Sequence, residues 1–179
     1  MKPATKDMTR YVGTKLLLAT AMTREVYNAY RGWDLPEDEN GAEAGYLVEY
    51  LDGGESNHPD HDGYISWTPS EVFHRAYRPV HQMTFGDALL LLKAGVRVQR
   101  AGWNGKGMFI YMVPAAEYPA QRGAAKRWAG EGAMIPYGAY LAMKTVDGTV
   151  VPWLASQTDI LAEDWAALSD DVALIGGSN

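Results

Sequence analysis

Two tryptophan-bearing segments in the second half of the chain carry the residues best suited to chemistry. The first, residues 100–107, reads Arg-Ala-Gly-Trp-Asn-Gly-Lys-Gly, and the second, residues 152–165, begins with Pro-Trp-Leu-Ala-Ser-Gln-Thr-Asp. Indole rings offer flat faces, and glycines let backbone approach a ligand closely. The sequence lacks cysteine, a Ser-His-Asp order and a Walker-type phosphate loop. These features predict a site that binds a small polar aromatic molecule.

Trp103 and Trp153 are the first candidates for ligand contact. Stacking a base on an aromatic ring contributes about 1–3 kcal/mol, although packing in a core or subunit interface is the alternative for both indoles. Asn104 offers a donor and an acceptor that could read an adenine edge. Gly105 is compatible with close approach of the backbone to a phosphate, or simply with a tight turn.

The start of a predicted short helix supplies four further candidates: Ser156, Gln157, Thr158 and Asp159. A helix N-terminus presents free N–H groups and a partial positive charge, which suit a diphosphate or ribose hydroxyls. Asp159 would repel phosphate but could accept two ribose hydroxyl protons. The alternative is an ordinary capping box between Ser156 and Asp159, worth about 1 kcal/mol to the helix.

Cationic side chains could neutralise a diphosphate or close over it. Arg100 and Lys144 are the candidates for neutralisation, with solvated side chains on strand faces as the alternative. Residues 122–128 add two arginines, a lysine and a tryptophan inside a long segment rich in alanine, glycine and proline. That segment could act as a lid over the ligand.

The run His58-Pro59-Asp60-His61-Asp62 raises the question of a metal site, because histidine and aspartate ligate divalent ions. Its spacing is too compressed for a helical i, i+4 pair, and the proline favours a loop. We expect a solvated turn there and no metal.

Composition bounds the class of protein. The 179 residues are 47% hydrophobic and 21% charged, which is typical of a globular chain. The net charge of −6 argues against general binding of DNA or RNA, which requires a basic face. No apolar run is long enough to span a bilayer and no signal-like segment is present, so we expect no membrane association. Zero cysteines suit the cytoplasm.

Local patterns predict alternating short strands and helices. In the first half we expect strands at residues 11–20, 46–51 and 64–67, a helix over 24–31 capped by Thr23, and a helix to about 77 opened by a capping box at 68–71. In the second half we expect a helix to Lys93 capped by Thr84 and Asp87, a strand over 96–100 and a strand over 108–113. A structureless segment over 114–137, a hairpin around 147–148, a helix over 156–162 and a final strand or extended tail over 165–175 complete the prediction.

These elements indicate an α+β fold. We predict a small antiparallel β-sheet with short helices over residues 81–179, preceded by a small α/β extension over residues 1–80. Pro79 lies near the predicted boundary.

The order of elements and motifs from residue 83 to 168 closely resembles the type-two Thoeris anti-defence family of phage and bacterial proteins. The resemblance rests on Arg-Ala-Gly-Trp-Asn-Gly-Lys-Gly-Met and on the run from Met143 through Asp-Gly-Thr-Val-Val-Pro-Trp-Leu-Ala-Ser-Gln-Thr-Asp to Trp165. It implies a non-enzymatic sponge that binds and sequesters cyclic ADP-ribose isomers, and in some members cyclic oligonucleotides, without a cofactor. It also implies a homo-oligomer, either a dimer or a tetramer. The first half resembles an extension found in many phage homologues.

Two other functions remain open on the sequence. An enzyme that cleaves the same nucleotides could use Asp159, Asp164 or the run 58–62 as catalytic groups. A phage structural or interaction module could instead use the aromatic residues for subunit contacts.

Overall fold

The computed structural model describes residues 15–50, 52 and 54–174. Chain contacts divide the described residues into two compact units, an N-terminal unit up to Tyr77 and a C-terminal unit from Arg78. Both contain small antiparallel sheets and short helices, so the α+β class is confirmed. None of the helices within the described ranges is long and apolar enough to cross a membrane.

The N-terminal unit is a three-stranded antiparallel sheet in the order β1-β2-β3, with two short helices. Its elements are β1 (Leu17–Ala21), α1 (Arg24–Tyr30), β2 (Gly45–Tyr50), β3 (Tyr64–Pro69) and α2 (Ser70–Ala76). The small core consists of Tyr27, Leu47 and Ile65, against which Met22 and Trp67 pack. Thr23 caps α1 as predicted, because its side chain accepts a hydrogen bond from the Val26 amide.

Two predictions for this unit differ from the structure. The strand predicted over residues 11–20 begins only at Leu17, and residues 11–14 lie outside the described residues. The capping box predicted at 68–71 does not form. Thr68 and Pro69 instead pair with β2, where they face Tyr46 and Gly45, and no side chain caps α2. Sheet pairing therefore outweighs the local capping pattern.

The C-terminal unit is built on a five-stranded antiparallel sheet in the order β10-β4-β5-β8-β9. Its elements are α3 (Phe85–Lys93), β4 (Val98–Arg100), β5 (Phe109–Val113), β6 (Ala116–Pro119), α4 (Gly123–Ala129), β7 (Met134–Tyr137), β8 (Tyr140–Lys144), β9 (Val150–Pro152), α5 (Gln157–Ile160), β10 (Trp165–Ala167) and a 3₁₀-helix (Ser169–Leu174). Both predicted capping boxes are present, Thr84 with Asp87 on α3 and Ser156 with Asp159 on α5.

The main core lies between α3 and one face of this sheet. Leu91 and Leu92 of α3 are at most 1% exposed, and Val98, Ile110 and Trp165 of the sheet are fully buried. Strand alternation places these three sheet residues on the same face, since Val98 pairs with Ile110 and with Ala167, two residues beyond Trp165. Trp165 therefore fills the centre of the core.

The segment 114–137 is not structureless, so that prediction is wrong. Strands β6 and β7 form an antiparallel hairpin, and α4 lies between them in the chain. Each strand contains a proline, and the turns contain glycine, so the sequence resembled a loop. The final segment also differs, because β10 covers only three residues and a 3₁₀-helix follows it.

Candidate functional site

Arg100, at the end of β4, joins two acidic residues that are distant in the sequence. Its Nη1 donates to Asp159 Oδ1 at 2.8 Å, and its Nε donates to Asp164 Oδ1 at 2.8 Å. Nη1 also lies 3.4 Å from the Thr158 carbonyl oxygen. Only 13% of the side chain is exposed. The guanidinium thus ties β4 to α5 and to the segment that precedes β10.

The Asp159 carboxylate accepts hydrogen bonds at both oxygens. Oδ1 accepts from Arg100 and from Trp103 Nε1 at 3.2 Å, while Oδ2 accepts from the Ser156 amide at 3.2 Å and hydroxyl at 2.7 Å. Burial alone would raise the pKa of Asp159, but the hydrogen bonds from Ser156, Arg100 and Trp103 outweigh it and lower the pKa. Asp159 is therefore ionised, and both of its carboxylate oxygens already accept hydrogen bonds from other residues of the fold.

Asp164 fixes the turn that carries the first tryptophan segment. Its Oδ2 accepts from the Gly102 amide at 2.7 Å, and a Cβ added at Gly102 would lie 2.8 Å from the same oxygen. The hydrogen bond from Arg100 is the largest influence on the pKa of Asp164 and lowers it, burial raises the pKa by less, and the hydrogen bond from the Gly102 amide lowers it further. A side chain at position 102 would therefore push this carboxylate away from the turn.

Trp103, Trp153 and Trp165 pack around one another in edge-to-face geometry. The ring centroids of Trp103 and Trp153 lie 5.4 and 6.1 Å from that of Trp165, and 6.3 Å from each other. Trp165 also donates its indole N–H to the Asp159 carbonyl oxygen at 3.0 Å. Trp103 and Trp153 are half-buried. Much of their aromatic surface therefore packs against the core.

The structure brings some of the predicted site residues together and leaves others apart. Contacts around Asp159 and the indoles join Arg100, Trp103, Trp153, Ser156, Thr158 and Asp159. Asn104 and Gln157 are exposed on neighbouring stretches of chain. Gly105 is packed, because a Cβ there would collide with Met108 and Val146. Lys144 donates to the Gly107 carbonyl oxygen at 3.1 Å.

The opposite face of the sheet places Lys144, which the sequence predicted, beside three candidates that sequence reasoning missed: Arg97, Phe109 and Tyr111. Phe109, Tyr111 and Lys144 alternate with the core residues of β5 and β8, and with Arg97 they line a cavity of about 400 Å³. The Arg97 guanidinium lies 5.3 Å from the Phe109 ring centroid and pairs with Asp171 at 2.6 Å. The aromatic alternation within β5 was the available signal.

The histidine run lies in the N-terminal unit and is more buried than predicted. His61 Nδ1 lies 2.8 Å from Glu49 Oε2, and the Tyr30 hydroxyl lies 2.9 Å from His61 Nε2. His58 stacks on Tyr30 with a centroid distance of 4.3 Å. The side chains of His58 and His61 are 13% and 17% exposed, so a solvated turn is wrong for both. Across residues 15–50 and 54–174, no group of three or more His, Cys, Asp or Glu side chains could hold a metal.

Comparison with known proteins places the C-terminal unit in a family. Residues 83–168 match the family model described as the Thoeris anti-defense 2-like domain. The chain is also 40% identical over 89 residues to Thoeris anti-defense 2 of Bacillus phage SP01, a match that covers 49% of this chain and 97% of the relative. The residues that the family model matches include Arg100 and the three packed tryptophans. The chain therefore belongs to the Thoeris anti-defense 2 family of anti-defence proteins.

Proposed function

We propose that residues 83–168 bind and sequester a cyclic ADP-ribose-type signalling nucleotide without degrading it. Sequestration in the host cytoplasm would block TIR-based bacterial immunity. Family membership supports this proposal, since the phage relative is named for its action against the Thoeris defence. Binding of this kind requires no cofactor, DNA or RNA.

The observation that carries the proposal is the use of both carboxylates beside the indoles as structural acceptors. Asp159 accepts from Arg100, Trp103 and Ser156, and Asp164 accepts from Arg100 and Gly102. A general base needs an available lone pair and a pKa near the working pH. Both carboxylates have lowered pKa values instead. This arrangement favours a rigid binding surface over nucleotide cleavage.

The ligand contacts follow from which side chains remain available. Trp103 and Trp153 are half-buried and can offer their outer edges and part of a face, while Asn104, Gln157 and Thr158 are exposed beside them. These three polar side chains can bond the base and ribose hydroxyls. Arg100, Ser156 and Asp159 then act as positioning residues, since their polar atoms already bond one another.

Lys144 and Gly105 enter the proposal differently. Lys144 lines the cavity on the other face of the sheet and donates to the Gly107 carbonyl oxygen, so we do not include it among the contacts to a ligand beside the indoles. Gly105 permits the tight packing of Met108 and Val146 that shapes the turn after Asn104. Gly105 thus contributes through the backbone.

We extend the proposal to a homo-oligomer, a dimer or tetramer, formed through the aromatic face of the sheet. Tyr140 and Val150 are 43% and 49% exposed there, on the same face as Phe109 and Tyr111. Exposed aromatic surface of this kind is typical of subunit contacts. Size-exclusion chromatography with light scattering tests this part, and a strict monomer at micromolar concentration would contradict it.

Calorimetry of the full chain with cyclic ADP-ribose and its isomers tests the proposed function. We expect one isomer to bind, and heat release followed by chromatography to return it intact. Asn104→Ala and Gln157→Ala should each weaken binding by about tenfold, the usual effect of losing one good hydrogen bond. Gln82→Ala, an exposed change in the same unit, is the matched control.

Several outcomes would contradict parts of this proposal. Time-dependent loss of the nucleotide at substoichiometric protein would indicate a cleaving enzyme. Failure of every isomer to bind would indicate a structural or interaction module instead. Equal affinity in the Asn104, Gln157 and Gln82 variants would place the ligand elsewhere in the C-terminal unit.

A further inference from the structure

The N-terminal unit contains a cavity of about 560 Å³ that the proposed function does not use. Arg24, Tyr27, Asn28 and Arg31 line it from α1 and the residue that follows it, with the i, i+3, i+4, i+7 spacing of one helix face. The opposite wall comes from β3, including Trp67. Small-molecule sites usually have volumes of about 300–1,000 Å³, so the cavity is large enough for a ligand.

Aromatic rings line the cavity, and buried core residues form its floor. Tyr27 and Ile65 are 5% and 1% exposed and belong to the core of this unit. The Arg31 guanidinium lies 4.4 Å from the Trp33 ring centroid, and that of Arg24 lies 5.0 Å from the Trp67 ring centroid. Stacking on an indole orients a guanidinium and leaves its N–H groups directed sideways.

The two arginines differ in their electrostatic partners. Arg24 is paired with Glu39, and its Nη1 lies 3.9 Å from Glu43 Oε2. Arg31 forms no salt bridge with any of the described residues. Its Nη1 atom is buried and has no hydrogen-bond partner among these residues. A buried charged donor that lacks an acceptor is unfavourable, so it marks a position where an acceptor is expected.

We infer that this cavity binds a small ligand that carries both a flat ring and an oxyanion, either a phosphate or a carboxylate. The oxyanion accepts hydrogen bonds from Arg31, whose planar group suits such anions. The ring lies against Trp33, which is 53% exposed. Asn28, 9% exposed and lining the same cavity, supplies a further polar contact.

Calorimetry on the full chain with AMP, benzoate and adenosine tests this inference. AMP and benzoate each carry a flat ring and an oxyanion, and the stronger binder of the two identifies phosphate or carboxylate. Adenosine has the ring alone and should bind at least about tenfold more weakly than AMP, because it lacks the charged acceptor. No binding of either anion, or binding of adenosine as tight as that of the stronger anion, would overturn the inference.

A matched pair of arginine variants locates the anion. Arg31→Gln should weaken binding of the preferred anion by about tenfold or more, whereas Arg75→Gln removes the same charge from an exposed position of α2 and should leave it unchanged. If Arg31→Gln disrupts folding, Arg31→Lys serves instead, and weaker binding is still expected because an ammonium lacks the planar fork. Equal affinity for the Arg31 and Arg75 variants would overturn the inference.

The inference is separable from the proposed function. Arg31 lies in the N-terminal unit and outside the family match, so Arg31→Gln should leave the affinity for cyclic ADP-ribose isomers unchanged. Loss of cyclic ADP-ribose binding in a folded Arg31→Gln protein would assign this cavity to the signalling nucleotide and contradict a separate site.

Discussion

At the scale of single residues, Arg100 is the side chain on which the candidate site most depends. It is 13% exposed and bonds both Asp159 and Asp164 at 2.8 Å. Arg100→Met should therefore lower the free energy of unfolding by about 3 kcal/mol, because it leaves the buried Asp159 and the half-buried Asp164 carboxylates without their partner. Urea denaturation measures the change. Arg127→Met, at an exposed position of α4, is the control and should change stability by less than about 0.5 kcal/mol.

These two carboxylates and that of Asp171, which pairs with Arg97, predict how stability depends on pH. The pKa values of Asp159, Asp164 and Asp171 are all lowered in the folded protein, so the unfolded chain binds more protons in acid. Their contribution is complete above the ordinary aspartate pKa of about 3.9 and is lost as the pH falls through the lower folded values. Denaturant midpoints for the wild type and Asp164→Asn should therefore converge below about pH 4. A difference in midpoint between the two proteins that stays constant as the pH falls would contradict this explanation.

At the scale of elements, the capping box of α3 is a local device with a measurable effect. The Asp87 amide donates to Thr84 Oγ1 at 3.4 Å, and Asp87 accepts from the Thr84 amide at 3.0 Å. Thr84→Ala should lower the free energy of unfolding by about 1 kcal/mol. Thr84→Ser keeps the hydroxyl and should retain most of the stability. Equal losses in the two variants would show that the methyl group, rather than the cap, is responsible.

The capping boxes also show how far the sequence predicts the elements. Thr84 with Asp87 and Ser156 with Asp159 were found because a cap joins residues three positions apart. The similar pattern at 68–71 failed because Thr68 and Pro69 pair with β2, more than twenty residues earlier. Propensity is a weak guide where sheet pairing competes with it. The hairpin of β6 and β7 was missed for a related reason, since proline and glycine obscure its strand pattern.

The sequence supplied candidate residues for the site but only part of their contacts. Trp103 and Trp153 were chosen for the glycine, proline and polar turn residues beside them, and packing in a core or interface was left as an alternative to ligand contact. The bond from Arg100 to Asp159 spans 59 positions, so no local pattern could reveal that the carboxylate was already occupied. Tertiary hydrogen bonds therefore changed the expected role of Asp159 from ribose acceptor to positioning residue.

At the scale of the whole molecule, the two units carry separate cores. One cluster joins buried residues from Met83 to Ala167, and the other joins Tyr27, Leu47 and Ile65. The family model matches residues 83–168, which lie within the C-terminal unit. The C-terminal core therefore contains what the family fold requires, and the N-terminal unit adds a cavity of its own.

This division predicts that a chain starting at Arg78 folds without the N-terminal unit. Its buried core residues all lie between 83 and 167, so the fragment should show one cooperative thermal transition by circular dichroism. It should also bind the preferred cyclic ADP-ribose isomer as tightly as the full chain, while losing the anion bound near Arg31. An unfolded fragment would contradict independent folding of the C-terminal core. A folded fragment that binds the cyclic nucleotide more than about tenfold more weakly, a deficit of about 1.4 kcal/mol, would contradict a nucleotide site confined to this unit.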